Sequence, residues 1–268
     1  MSIFTLTPTP LQTTVDIDAA YALRSSYIEM TDALEEAEAA VNQANQAAKR
    51  VDITTHIRLE NAVRDELTLL FWKKFLRFLP VMDVMSPKRQ EKEIEDWLYP
   101  SRRRVQFRPR PEPPNFTIEN MMRRAEELES RREFFIHEWA LYLFEHHVHW
   151  RPQLEDIVVP KKVVLSHRIT HDGVAFRYRE EVANLDRFFH FMDGRNADFP
   201  RQEADSPLVK AIAEAVKQGN GRGETDYFRF AAYGNGNLHL TFKRRDLMSL
   251  WENLAREGLI ARMEAQRG

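Results

Sequence analysis

The chain has 268 residues, 43% of them hydrophobic and 30% charged, with a net charge of −2 and no cysteine. That length can bury a sizeable core in one large domain or two small ones, and the charge balance excludes a whole-chain field that would draw nucleic acid, so any such binding must come from a local patch. The missing thiols exclude disulfides, thiolate metal sites and cysteine nucleophiles, and no apolar run reaches the roughly 18 residues of a membrane helix.

Residues 1–14 carry Thr and Pro and read as a flexible arm. No basic region followed by an apolar core stands at the N-terminus, so a cytoplasmic protein without membrane contact is expected. From Ala20 a heptad pattern begins: Ala20, Leu23, Tyr27, Met30, Leu34, Ala37, Val41, Ala44, Ala48. Spacings of three and four predict a long helix with a coiled-coil-like seam. Its alanines bury little area, so the 20–48 helix needs a close partner. That partner is either the next helix, over Thr55–Phe78, or a second copy of the chain.

Ser86-Pro87 starts a third, short helix that ends near Leu98, because proline is tolerated at the first helical position. Residues 99–115 form a connector dense in Arg and Pro, where Arg102, Arg103 and Arg104 could contact backbone phosphates or stay solvated. A long helix is expected from Thr117 to His149. Near its end Glu145, His146 and His149 have i,i+3 and i,i+4 spacings that would suit a metal. The same histidines also suit a helix C-terminus, where the dipole favours them. No metal and no cofactor is expected, because no His-Glu-x-x-His and no Gly-rich phosphate loop is present.

After Pro160 the pattern turns to strands. Val163–Ile169 and Val174–Tyr178 flank Asp172-Gly173, predicting a hairpin that sets Arg168 opposite Arg177. Like charges so placed call for an anion or a carboxylate between them. Helices follow over Glu180–Met192 and Ser206–Lys217. Tyr227–Ala232 and Leu238–Phe242 then flank Gly234-Asn235-Gly236-Asn237, and a closing helix covers Arg245–Arg256. With Asn235-Gly236 as a two-residue turn, Phe228 faces Lys243 and Phe230 faces Thr241. One face then holds Tyr227, Arg229, Ala231, Tyr233, Leu238, Leu240 and Phe242 and reads as core. The other holds Phe228, Phe230, His239, Thr241 and Lys243. With Arg244 beside it, this second face could stack and clamp a nucleic acid. It could equally be covered by a helix.

Leu238-His239-Leu240-Thr241-Phe242 also has the apolar-His-apolar-Thr pattern of the two-histidine phosphoesterases, with His239 and Thr241 as catalytic candidates. Such enzymes need a second His strand, and His167-Arg168-Ile169-Thr170 misses its spacing by one.

The fold class expected is α+β: a mostly helical N-terminal half over 15–155, then a small α+β domain over 156–268 built on two antiparallel hairpins. The C-terminal segment, with Asn235-Gly236-Asn237, His239, Phe242-Lys243-Arg244 and Asp246-Leu247, resembles a bacterial family known as domain of unknown function 4942. Trp72, Met82-Asp83, Phe116–Asn120, Asn184–Phe188 and Asp193-Gly194 match it as well. Gly234 stands where members often carry lysine, and Phe144–Trp150 departs from their pattern. The resemblance implies a gene of prophages or other mobile elements and carries no catalytic residues with it. Three functions stay open: a non-catalytic protein that binds DNA or RNA, a module that engages a protein partner or forms a homodimer, and a phosphodiester-acting enzyme.

Overall fold

The structure, a computed structural model, describes residues 17–50, 61–99, 114–148, 151–195, 199–200 and 203–267. The expected arm 1–14, the connector arginines Arg102, Arg103 and Arg104, and His149 lie outside these residues. The chain is α+β and divides into two compact units. One comprises the chain up to Asp83 together with Pro87–Arg132; the other comprises Val84–Ser86 and the chain from Glu133 onward.

The first unit is helical, with α1 (Ile17–Arg50), α2 (Asn61–Phe78), α3 (Pro87–Leu98) and α4 (Ile118–Glu129). Helix α1 packs on α2 and α4. Its inward stripe keeps Ala20, Leu23, Tyr27, Leu34 and Val41 of the heptad but takes Thr31 and Glu38 in place of Met30 and Ala37, which are exposed. The contact line thus departs from the heptad by one residue at these two positions. Tyr27 anchors the stripe: its hydroxyl meets Thr68 Oγ1 at 2.9 Å, and its ring packs on Phe71 and Phe116. Around them Trp72, Phe75 and Trp97 complete an aromatic core of edge-on contacts, the arrangement that aromatic quadrupoles favour. The Trp72 indole donates to the Pro114 carbonyl at 2.6 Å.

Helices α3 and α4 are tied by charge. Glu93 is buried, and Arg89, Arg124 and Arg131 all reach its carboxylate, at 2.6, 2.9 and 3.2 Å. Burial raises its pKa, but the three guanidiniums outweigh that and hold it below the ordinary value. Arg124 is itself buried and lies 5.0 Å over the Trp97 ring.

The long helix expected over 117–149 is two helices, α4 and α5 (Arg132–His147). Thr117 caps α4 by accepting from the Asn120 N–H. At its other end the Ser130 hydroxyl donates to the Glu127 carbonyl at 2.8 Å, giving the backbone an alternative to continuing. The boundary between the two compact units falls here, at Arg132.

The second unit holds a four-stranded antiparallel sheet in the order β1-β6-β5-β4: β1 (Lys162–Leu165), β4 (Arg222–Glu224), β5 (Phe228–Ala232) and β6 (Leu238–Phe242). A two-stranded ribbon, β2 (Ile169–Thr170) and β3 (Gly173–Val174), stands apart from the sheet. Helices α6 (Arg179–Met192), α7 (Pro207–Lys217) and α8 (Arg245–Arg267) complete the unit with α5. Ser206 caps α7 ahead of Pro207, and its hydroxyl donates to buried Asp186 at 2.7 Å. Asp186 also accepts from the Leu208 N–H at 3.0 Å, so it seals the same helix end.

Two expectations for the strands are overturned. Strand β1 does not fold back on the ribbon but pairs with β6, so Arg168 and Arg177 do not face each other across a ladder. The final hairpin is shifted by one residue. Its pairs are Phe228↔Phe242, Phe230↔Leu240 and Ala232↔Leu238. The Gly236 N–H donates to the Tyr233 carbonyl and the Tyr233 N–H to the Asn237 carbonyl, each at 2.9 Å. The loop is therefore three residues, Gly234-Asn235-Gly236, with Gly236 at φ +88°. This is the three-residue hairpin that ends on a left-handed glycine. The shift puts Phe228 and Phe230 in the core with Leu238, Leu240 and Phe242, and turns Arg229 to solvent. Each buried Phe is worth about 1.5–3 kcal/mol, whereas the expected register would have pointed a guanidinium inward.

Candidate nucleic-acid interface

Phe228 and Phe230 are 0% and 3% exposed, so they form no stacking platform. Phe189 of α6 and Trp251 of α8 cover this side of the sheet. Phe189 lies 4.9 Å from Phe228 and 5.4 Å from Phe242, and Trp251 lies 5.8 Å from Phe242. Gly223 of β4 admits the Phe230 ring: a Cβ there would stand 2.6 Å from it.

The opposite side of the same sheet is open. Lys162 and Val164 of β1, His239 and Thr241 of β6, Arg229 and Ala231 of β5, and Arg222 and Glu224 of β4 project there, because alternate residues share a face. The register places Lys162 beside Thr241 and Val164 beside His239. Across the next ladder Arg229 stands beside Thr241 and Ala231 beside His239. Tyr233 continues the row past the end of β5, its ring 4.4 Å from the imidazole of His239. Most of these residues line a shallow open groove of ≈ 430 Å³.

The charge on this face is one-sided. Lys162, Arg222 and Arg229 are exposed. Lys243 sits at the margin, with Nζ on the Thr225 carbonyl at 2.7 Å. Among the described residues Glu224 is the one carboxylate lining the groove, 3.7 Å from both Arg229 and Lys243. Burial lowers the His239 pKa and Lys162 lowers it further, so at neutral pH the imidazole is an uncharged ring.

The other expected site residues separate. Arg244 is clamped by Asp246 at 2.6 Å and Asp193 at 3.1 Å, so two carboxylates already answer its charge. Arg168 bonds Glu181 at 3.1 Å. Arg177 lies in a short 3-10 helix over Phe176–Tyr178, and the two guanidiniums do converge, on the Tyr178 ring at 3.9 and 4.6 Å. The Tyr178 ring is what they share, and the carboxylate holds Arg168. His167, the expected second imidazole of a phosphoesterase pair, has φ +58° and lies off the strands. It lines a different concavity from His239. Glu145 is taken by Arg262 in two bonds of 2.7 and 3.1 Å, and His146 meets the Tyr142 carbonyl at 2.9 Å. Among the described residues no three His, Cys, Asp or Glu side chains gather as a metal site.

Lys162, Arg222, Arg229 and Tyr233 went unrecognised as site residues. Lys162 becomes a neighbour of the hairpin only through long-range pairing, whereas Arg222 pairs locally, opposite Ala231. Arg229 and Tyr233 carried a signal: assigning them to the core put a charge there. Also missed was His147, fully buried on α5, with neither ring nitrogen hydrogen-bonded. Burial first, then the positive surroundings of His146 and Arg168, push its pKa down to about 3. Glu181 stands 3.7 Å away, but its oxygen is already held by Arg168.

No helix among the described residues is long and apolar enough to cross a membrane. No curated protein matches the chain, and no solved structure matches it. Residues 64–256, well over half its length, match the family described as Domain of unknown function (DUF4942), and the chain belongs to that family.

Proposed function

We propose that this protein binds nucleic acid, without catalysis, through the open face of its four-stranded sheet. The observation that supports this most is the pairing of four cations, Lys162, Arg222, Arg229 and Lys243, with two adjacent rings, Tyr233 and His239, around one carboxylate. Cations set beside exposed rings on a sheet suit a chain of phosphates and bases. The reading keeps His239, Thr241 and Lys243 from the sequence-based face and replaces Phe228 and Phe230 by Tyr233 and Arg229. A prophage or other mobile-element origin, as the family resemblance implies, would provide DNA or RNA as the target.

Fluorescence anisotropy with single-stranded DNA, duplex DNA and RNA across a salt series tests it. If all four cations meet phosphates of a single strand, the log–log slope is roughly −3, and each Lys or Arg changed to Ala lessens it by about 0.7. No binding at low salt, or an unchanged slope in Lys162→Ala with Arg229→Ala, rejects the reading.

A second reading draws on the first unit, where Tyr21, Ile28, Met30, Leu70 and Phe78 are exposed. They would serve a protein partner or a homodimer. Light scattering of the full chain distinguishes the homodimer: a monomer at all concentrations removes it.

A further inference from the structure

A second concavity, of ≈ 660 Å³, lies at the β5–β6 turn, lined by His167, Thr170, Phe176, Arg177 and the turn residues Gly234–Gly236. Tyr233 lines the sheet groove and Gly234 lines this one, so the two meet at adjacent residues. Phe176 is 84% exposed, the most solvent-facing of the large apolar residues described. An exposed Phe is ordinary on a loose loop, but this one is built in. The Ile169 N–H bonds the Gly236 carbonyl at 2.9 Å, and the Ala175 N–H bonds the Arg168 carbonyl at 2.8 Å. The Tyr178 N–H closes the 3-10 turn on the Ala175 carbonyl at 2.8 Å. Arg179 reaches over the Phe176 ring at 5.7 Å while its Nε donates to the Val174 carbonyl. Arg177, beside the ring, rests on Tyr178 and makes no salt bridge among the described residues.

Resting on the sheet-face reading, we infer that the ligand is a single strand that leaves the sheet over the β5–β6 turn and stacks a further base on Phe176, with Arg177 on the adjoining phosphate. A ring open to water on a hydrogen-bonded backbone, a neighbouring cation and a basic groove beginning at the next residue match a flexible polyanion whose bases are unpaired. A duplex keeps its bases stacked inside and cannot offer one to Phe176. Gly234 leaves the crossing clear: a Cβ there would meet nothing within 4 Å.

The test uses the full chain with labelled oligothymidylates of about 4 and about 12 nucleotides, lengths in the range that single-strand sites span. Wild type should bind the long one more tightly. Phe176→Ala and Phe176→Leu should each lose roughly 5- to 100-fold on the long oligonucleotide and leave the short one unchanged. Phe176→Tyr should retain both affinities, since it keeps the ring. Long-oligonucleotide affinity unaffected by Phe176→Ala overturns the inference and leaves the sheet-face reading standing. Equal losses on both lengths also overturn it, because the ring would then not serve a separate subsite. If wild type binds neither length, the sheet-face reading itself fails and this inference falls with it.

Discussion

Phe189 of α6 lies flat on Phe242 of β6, with ring centroids 5.4 Å apart and planes 10° from parallel. That contact fixes which side of the sheet is core. It closes the helix-facing side with apolar rings and leaves the cations on the other side in water. Truncating a ring on the closed side, Phe228→Ala, should cost about 3–5 kcal/mol, the usual cost of emptying a buried Phe site. Tyr233→Ala, on the open side, should change stability by less than about 0.5 kcal/mol. Urea unfolding of the two variants checks the assignment; a larger loss for Tyr233→Ala would reverse the faces.

The Glu93 cluster should dominate the first unit's response to substitution. Glu93→Ala removes one of two carboxylates from buried Arg124, Glu127 remaining at 2.7 Å, so the loss should fall near the lower end of the about 3–5 kcal/mol that breaking a buried pair costs. The folded carboxyl titrates below its ordinary value of 4.5, so its stabilisation is fully present above that pH and is lost as pH falls through the lowered folded value. Denaturant midpoints taken from pH 6 downward should therefore fall more steeply in wild type than in Glu93→Gln.

His147 sets a separate acid window in the second unit. Its folded pKa is about 3 against an ordinary 6.5, so the unfolded chain binds a proton that the folded chain refuses. Stability should decline as pH drops from about 6.5 toward 3, by at most ~1.4 kcal/mol per pH unit from this residue. His147→Leu, which fills the site without a titrating group, should flatten that part of the curve. An identical pH profile in the variant would mean that the ring takes up its proton in the fold as readily as in the unfolded chain.

Glu224 opposes the cations around it. Replacing it by Gln removes the one negative charge lining the groove and should tighten nucleic-acid binding, by roughly two- to fivefold at low salt, with the gain shrinking as salt rises. Weaker binding in Glu224→Gln would assign the carboxylate a direct contact with the ligand.

Local pattern made much of this fold legible. Ser86-Pro87 and Ser206-Pro207 mark the starts of α3 and α7, and the α+β division follows from the shift to strand residues after Pro160. The site was less legible because its decisive relations are long-range. Lys162 meets Thr241 across 79 positions of chain (241 − 162) through a pairing that no local pattern encodes. Strand β4, Arg222-Gly223-Glu224, has no apolar side chain and forms only because β5 offers an edge. The hairpin register turned on one extra loop residue, and the period-2 alternation of β5 converted that single step into a complete exchange of faces. The break at Ser130 was hidden because apolar positions at Leu128 and Phe135 keep helical spacing across it.

Ultraviolet crosslinking to a halogenated-uracil oligonucleotide, followed by mass spectrometry of the peptides, tests the central claim most directly. The account predicts adducts on Tyr233 or His239, with peptides from β1 and β5 protected by the bound strand. Adducts confined to the first unit, or none under conditions where anisotropy shows binding, would contradict a site on the open sheet face.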